Sequence, residues 1–401
     1  MRSFIDLVKF EYMKIFKRKG SVIALIIIMA LIIFMPVLAL LGNTYVDGEP
    51  YETKYQSFIK IRDYARTLSG RYIDETLLTE AKEAYSYIPA VERYTLTPEY
   101  EKYGRPYSMI YDIAYTVYGK NLRLMQDLTH EQMQNFYQIR HDDISKRINE
   151  IKISDKSKEK LIELDSKIQT PFVFDYIEGQ DGFLSFMYSK GIFAAFAIAI
   201  CIAPIFAGEY GMRTDQLILS SKFGKNKIIA AKLFTGISFC AGLCISLTVL
   251  TYLVFGIIYG FDGANSPIQL WYSFCIYPFS IWQAAVVYSI CVFFGVILIC
   301  GITLLLSSLF KSPFGVIIII SVLLFVPMMF NLPENNILLL NLIRLLPSNM
   351  MAAWSSLASN TPYELFGLTI LPYVFMPLFA LIIVSIMLPF SYRSFKNHQI
   401  G

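Results

Sequence analysis

Glu209 ends an uncharged run from Gly191 to Gly208 and opens a polar stretch, Tyr-Gly-Met-Arg-Thr-Asp-Gln. A carboxylate at that point, followed by Arg213, Lys222, Lys225, Lys227 and Lys232, suits ion pairing at a membrane edge and a charged contact surface. The groups that covalent chemistry needs are missing. There is no Gly-x-x-x-x-Gly-Lys-Ser/Thr phosphate loop and no Gly-x-Ser-x-Gly nucleophile elbow. His130 and Glu131 begin a zinc-protease pattern, but Gln134 stands where its second histidine belongs. His141, Asp142 and Asp143 read as a solvated helix face. Cys240 and Cys244 share a helix face at i, i+4 and read as small apolar fillers, so no metal is assigned. The chain is therefore expected to be no enzyme and to carry no cofactor of its own.

The elements that position Glu209 follow from composition. Apolar residues make up 55% of the 401 residues, which marks a chain that uses lipid as solvent. Six windows can cross a hydrocarbon core of about 30 Å without an ionised side chain inside. They are Ser21 to Gly42, Gly191 to Gly208, Leu233 to Phe261, the second half of Gly263 to Phe310, Ser312 to Leu332, and Leu365 to Tyr392. The spans supply no ionisable group at depth, which argues against an ion-driven carrier. Pro36, Pro204 and Pro327 fall inside them, where a missing amide permits a kink.

Positive charge sets the orientation. Lys and Arg crowd residues 1–20, the loop 209–232, Lys311, and Arg393 with Lys396, so both termini are expected on the cytoplasmic side of the cell membrane. Residues 1–20 predict an interfacial helix, because Phe4, Leu7, Val8, Tyr12, Ile15 and Phe16 recur every three or four positions. Residues 21–42 form the first span, and it is too long for a signal core.

Residues 43–190 break the apolar pattern and read as a mostly helical domain outside the membrane. Helical spacing runs from Tyr72 to Ile88, from Phe136 to Ile151, and through Leu161, Leu164 and Ile168 toward Pro171. The charge of this domain is nearly balanced, so nothing suggests nucleic acid. It holds most of the chain's 27 tyrosines, which suits a small core that keeps its hydroxyls wet, or else a face for a peptide or lipid headgroup. No cysteine lies in it, so no disulfide framework staples it. Residues 333–364 are apolar but punctuated by Pro333, Pro347 and Pro362, and predict a re-entrant or interfacial helix pair on the outer side.

The run Phe206-Ala-Gly-Glu209-Tyr-Gly-Met-Arg-Thr214-Asp-Gln-Leu-Ile-Leu-Ser220-Ser-Lys-Phe-Gly224-Lys-Asn-Lys227-Ile-Ile-Ala-Ala-Lys232 resembles the signature of ABC-2 type transporter permeases. In that signature a glutamate ends the second span and a lysine opens the third. The likeness extends to the interfacial helix, six spans and both termini inside. This chain departs from it at Arg213, where the family often has glycine. The resemblance implies an all-α polytopic fold, and a loop that docks into a partner ATPase. There Glu209 serves as hinge anchor or ion-pair partner, Leu217, Ile218 and Leu219 as apolar face, and Arg213, Lys222, Lys225 and Lys227 as charged rim. It also implies two ATPase chains holding ATP and magnesium, a second permease copy, and an outer gate bordered by Met350, Met351 and Trp354. Export of a peptide, antibiotic or other amphipath is the function expected by analogy. The alternative is a non-transporting sensor or mechanotransmission scaffold coupled to the same ATPase.

Overall fold

The structure is a computed structural model that describes residues 4–46, 49–91, 94–119, 124–221, 223–330 and 336–398. Lys222, Leu332 and Pro333 lie outside the described residues. The chain is predominantly helical, 75%, with little sheet. Helix α1 (Phe4–Lys17) stops at Arg18, whose extended backbone turns the chain into α2 (Lys19–Leu38). Ser21, Ala24, Ile28, Ile32 and Pro36 form the buried stripe of α2, while Ile23, Ile26 and Ile27 face outward. Such a helix is apolar all round and gains stability by packing one face on neighbours and offering the rest to lipid.

A polar insert follows. Strands β1 (Asn43–Val46) and β2 (Glu49–Thr53) pair antiparallel. Next come α3 (Lys54–Leu68), α4 (Glu75–Ser86), α5 (Ser108–Tyr118), α6 (Phe136–Glu150) and α7 (Asp155–Ser166). Their starts are capped as the sequence invites: Thr53 and Gln56 form a capping box, and Asp74 and Ser154 accept from Leu77 and Ser157 amides. The helices predicted from Tyr72 to Ile88 and from Phe136 to Ile151 are present as α4 and α6, although Tyr72 itself sits in an isolated bridge to Val173. Tyrosines fill this core, with Tyr85 buried and stacked on Tyr111 at 5.2 Å.

The second spanning helix, α8 (Glu178–Ile202), starts well before Gly191, so residues 178–190 belong to it rather than to the polar segment. After the short helices α9 (Ala207–Gly211) and α10 (Asp215–Ser220) come α11 (Ile229–Tyr259), α12 (Ile281–Leu309) and α13 (Pro313–Phe325). Helix α14 (Ile337–Arg344), strands β3 (Tyr363–Leu365) and β4 (Leu368–Ile370), and α15 (Pro372–Lys396) complete the chain.

Among the described residues five helices are long and apolar enough to cross a membrane: α2, α8 extended to Ile205, α11 from Gly224, α12 and α15. The window Ser312 to Leu332 instead forms a shorter apolar helix, Pro313–Met329, tightened into a 3-10 turn around Pro327. The window from Leu365 is shortened too. Its first residues make the β3–β4 hairpin, turned by Phe366 and Gly367 at φ 51° and 75°. Helices α8 and α12 have 67% and 61% of their spanning windows buried, against 28% for α2, α11 and α15. The first pair is the core of the bundle and the other three ring it.

The insert is bolted to this bundle by a buried charge. Arg140 falls inside the apolar stripe Phe136, Ile144, Ile148 of α6 and is 3% exposed. Its guanidinium donates to Asp165 Oδ1 at 2.9 Å, to the Ser273 carbonyl at 2.6 Å and to the Cys275 carbonyl at 2.9 Å. His141 Nδ1 meets the other Asp165 oxygen at 2.7 Å, so that side chain turns to α7 rather than standing on a free face. Removing one partner of a buried pair costs about 3–5 kcal/mol. Arg140→Met is therefore expected to lower the melting temperature of the purified protein strongly, and the double variant Arg140→Met/Asp165→Leu to lower it less. Equal melting of Arg140→Met and the parent protein, read by tryptophan fluorescence, would contradict this anchor.

Candidate functional site

Pro204 has no amide to continue α8, and the chain tightens into a 3-10 turn at Ala203–Ile205. Ser307 of α12 repairs the break. Its hydroxyl accepts from the Phe206 and Ala207 amides, both at 3.0 Å, and donates to the Ala203 carbonyl at 2.6 Å. The break aims the Ile205 carbonyl sideways and starts α9, which carries Glu209.

Glu209 is 3% exposed. Its Oε1 accepts from Lys14 Nζ and from Lys232 Nζ, each at 2.7 Å, and its Oε2 accepts from the Thr214 hydroxyl. Glu11 bridges the same lysines, 3.1 Å from each. Lys232 also donates to the Ile205 carbonyl at 3.0 Å, so all three of its ammonium protons have acceptors although the side chain is fully buried. Two carboxylates and two ammonium groups thus close a neutral network that ties α1, α9 and α11 together. Burial pushes the Glu209 carboxyl up, but the Lys232 ammonium and the hydrogen bonds from Lys14, Lys232 and Thr214 outweigh it and hold it at about 2.

Sequence reading places Lys232 among exposed cytoplasmic charges and expects no ionisable group at depth. The structure corrects both points. Lys232 is enclosed, and Lys190, also fully buried, lies midway along α8 with its Nζ 2.7 Å from Thr248 Oγ1. Glu11, Lys14 and Thr214 escaped notice as partners of Glu209. Glu11 left one trace, as an acid interrupting the apolar stripe of α1.

Arg213 follows α9 in the left-handed region at φ 56°. The Thr214 amide bonds the Glu209 carbonyl at 3.0 Å and the Arg213 amide bonds the Tyr210 carbonyl at 3.1 Å, the two bonds of a Schellman cap. That position favours glycine because a Cβ is crowded there, by roughly 1–2 kcal/mol. The geometry gives a physical reason for a glycine where this chain has arginine.

Beyond the cap, α10 divides the predicted apolar face. Leu217 is 73% exposed, Ile218 is half-buried, and Leu219 turns into the core. Gly224 is required by close approach, since a Cβ there would stand 1.5 Å from the Ile218 carbonyl oxygen. Arg213, Lys225 and Lys227 are exposed, the last over the Phe223 ring at 4.9 Å. Met212 is also exposed, at 64%.

Away from Glu209, Met350 and Met351 are fully buried and Trp354 is 44% exposed. Met351 fills a notch whose floor is Gly191 of α8 and Gly295 of α12, and its carbonyl accepts from the Tyr288 hydroxyl at 3.0 Å. Trp354 stands edge-on to Tyr188 at 4.9 Å. The six cysteines are all buried and free, and among the described residues no group of three or more His, Cys, Asp or Glu gathers as metal ligands would.

The folded Glu209 carboxyl lies below its ordinary value of 4.5. Its stabilisation, about 3 kcal/mol, is therefore present above that pH and is lost as pH falls toward the folded value. Glu209→Gln should melt earlier at neutral pH, and the gap from the parent protein should narrow between about pH 5 and pH 3. A constant gap across that range, measured by thermal unfolding in detergent, would refute the pairing.

The chain matches no curated protein and no solved structure. Residues 12–400 match the family described as ABC-2 family transporter protein. With a match that spans Glu209, Lys232 and every membrane helix, the chain belongs to the ABC-2 transporter permeases, membrane proteins that work with ABC ATPase partners.

Proposed function

We propose that this chain is the permease subunit of an ATP-driven exporter, with ATP and magnesium held by two separate ATPase subunits and a second permease copy completing the path. The observation that carries the reading is the neutral buried network at Glu209, placed directly behind an exposed loop that offers Leu217 and Met212 with Arg213, Lys225 and Lys227 around them. A push on α10 passes through the capped turn at Arg213 into Glu209, and from there to α1 and α11 together. ATP-driven closure of the partners would use that route to switch the bundle between inward- and outward-facing arrangements.

In this reading the apolar helix Pro313–Met329 serves as a short sixth span, both termini and the loop 209–232 are cytoplasmic, and the insert stands outside the cell membrane. Residues 337–364 then close the outer end, with Met350 and Met351 as its plug and Trp354 at its rim. The cargo class we favour is a peptide, antibiotic or other amphipath. A cavity of about 530 Å³ supports it, lined by Tyr94, Tyr100, Tyr111, Asp112, Glu178 and Asp181 where the insert meets the start of α8. Carboxylates among tyrosine rings suit a cationic amphipath.

The same cavity favours a second reading, a ligand sensor, because Glu178 and Asp181 sit at the start of α8, whose far end breaks at Pro204 just before α9 and Glu209. Proteoliposomes holding the permease and its ATPase separate the two. ATP-dependent movement of a cationic peptide is expected; ligand-stimulated hydrolysis with no movement establishes the sensor instead. Leu217→Glu combined with Lys225→Glu should cut both ATPase association and stimulated hydrolysis at least about tenfold, the factor that 1.4 kcal/mol represents. Unchanged association in a pull-down would remove the loop from the coupling path.

A further inference from the structure

Beside the Glu209 network lies a cavity of about 250 Å³ whose cations Arg18 and Lys17 the coupling reading does not use. Phe10, Met13, Lys14, Lys17, Arg18 and Met212 line it, with Glu209 at its back. The two carboxylates of the network are already shared between Lys14 and Lys232. Arg18 and Lys17 are therefore surplus cations. Arg18 spends one amino group on the Pro204 carbonyl at 3.2 Å, and its other, Nη1, is enclosed without a hydrogen-bond partner. Lys17 is exposed at the rim.

The rest of the rim is apolar and open, with Phe10 46%, Met13 49% and Met212 64% exposed. Helix α2 begins immediately after Arg18 and, within its first three turns, exposes Ile23, Ile26 and Ile27. The cavity thus sits at the foot of a spanning helix, at the depth where lipid headgroups lie. An anion here meets two surplus cations on one side and an apolar track for hydrocarbon on the other.

We propose that this cavity binds one anionic phospholipid, its phosphodiester held by Arg18 and Lys17 and its acyl chains lying along Phe10, Met13 and the Ile23–Ile27 face of α2. The phosphate charge lies against the Arg18 guanidinium, which lines the cavity, and the Lys17 ammonium at its rim. A free phosphate shares the charge but has no use for the apolar rim and track. The bound lipid would pin α1 against the network from the membrane side.

The test uses the full-length permease without its ATPase, so its outcome is independent of the coupling reading. Native mass spectrometry after incubation with phosphatidylglycerol or phosphatidylcholine should show one phosphatidylglycerol retained and no retained phosphatidylcholine. An exposed ion pair is worth up to about 1 kcal/mol, so loss of the Lys17 contact in Lys17→Gln should weaken retention by up to about fivefold. Lys9→Gln removes an equal charge from the same helix outside the cavity and should leave retention unchanged. Equal losses in both variants would mean diffuse attraction and overturn the site. Displacement of the lipid by inorganic phosphate would overturn the lipid assignment in favour of a free anion, as would equal retention of phosphatidylcholine.

Discussion

A fully buried ammonium sets the terms for this end of the molecule. Lys232 stands in the spanning helix α11 with no exposure, where an unpaired charge would cost several kcal/mol. Its three protons need three acceptors, and they come from Glu11, Glu209 and the Ile205 carbonyl. Each acceptor demands its own piece of architecture. The carbonyl is available because Pro204 breaks α8, the Glu209 carboxylate because α9 restarts after the break, and Glu11 because α1 lies across α11, held there by Tyr12 on Ser238 and Phe4 on Phe234. One desolvated charge thus accounts for an amphipathic helix, a helix break and a capped turn that have no contact in sequence.

Much of the bundle was legible from residue order because apolar length is a local property. The windows at Ser21, Gly191, Leu233 and Gly263 each led to a spanning helix, and Leu365 to Tyr392 to most of one. Errors arose where length alone did not decide. Pro327 tightens the helix after Ser312, and Phe366-Gly367 turns a hairpin where an uninterrupted helix was expected. In the insert, the spacing of Leu77, Ala81 and Tyr85 and of Phe136, Ile144 and Ile148 predicted two helices. The same spacing could not say that Arg140, on the buried stripe, would find acceptors on a loop more than 130 residues away.

The candidate site was legible in part for the same reason. Glu209 marks itself by ending an uncharged run, but the identity of its partners depends on contacts 195 residues back to Lys14 and 23 residues forward to Lys232. Leu217, Ile218 and Leu219 form one apolar run in sequence, yet a single turn of helix must send them in different directions, and only Leu217 remains well exposed. At Arg213 the sequence recorded a departure from glycine, and the left-handed backbone supplies its meaning.

Lys190 and Lys232 are both buried lysines of spanning helices, and the contrast between them bears on how the bundle can move. Lys232 is saturated by two carboxylates and a carbonyl, so separating α1, α9 and α11 would expose several charges at once. Lys190 rests on the neutral hydroxyl of Thr248, which itself donates to the Cys244 carbonyl at 2.9 Å. A neutral hydroxyl gives none of the charge–charge attraction that a carboxylate adds to such a bond. The contact between α8 and α11 is therefore firm near Glu209 and weaker at mid-helix. Motion that starts at α10 would meet its stiffest joint first and carry α1 and α11 as one unit, with the interface around Lys190 and Thr248 the easier place for α8 to slip against α11.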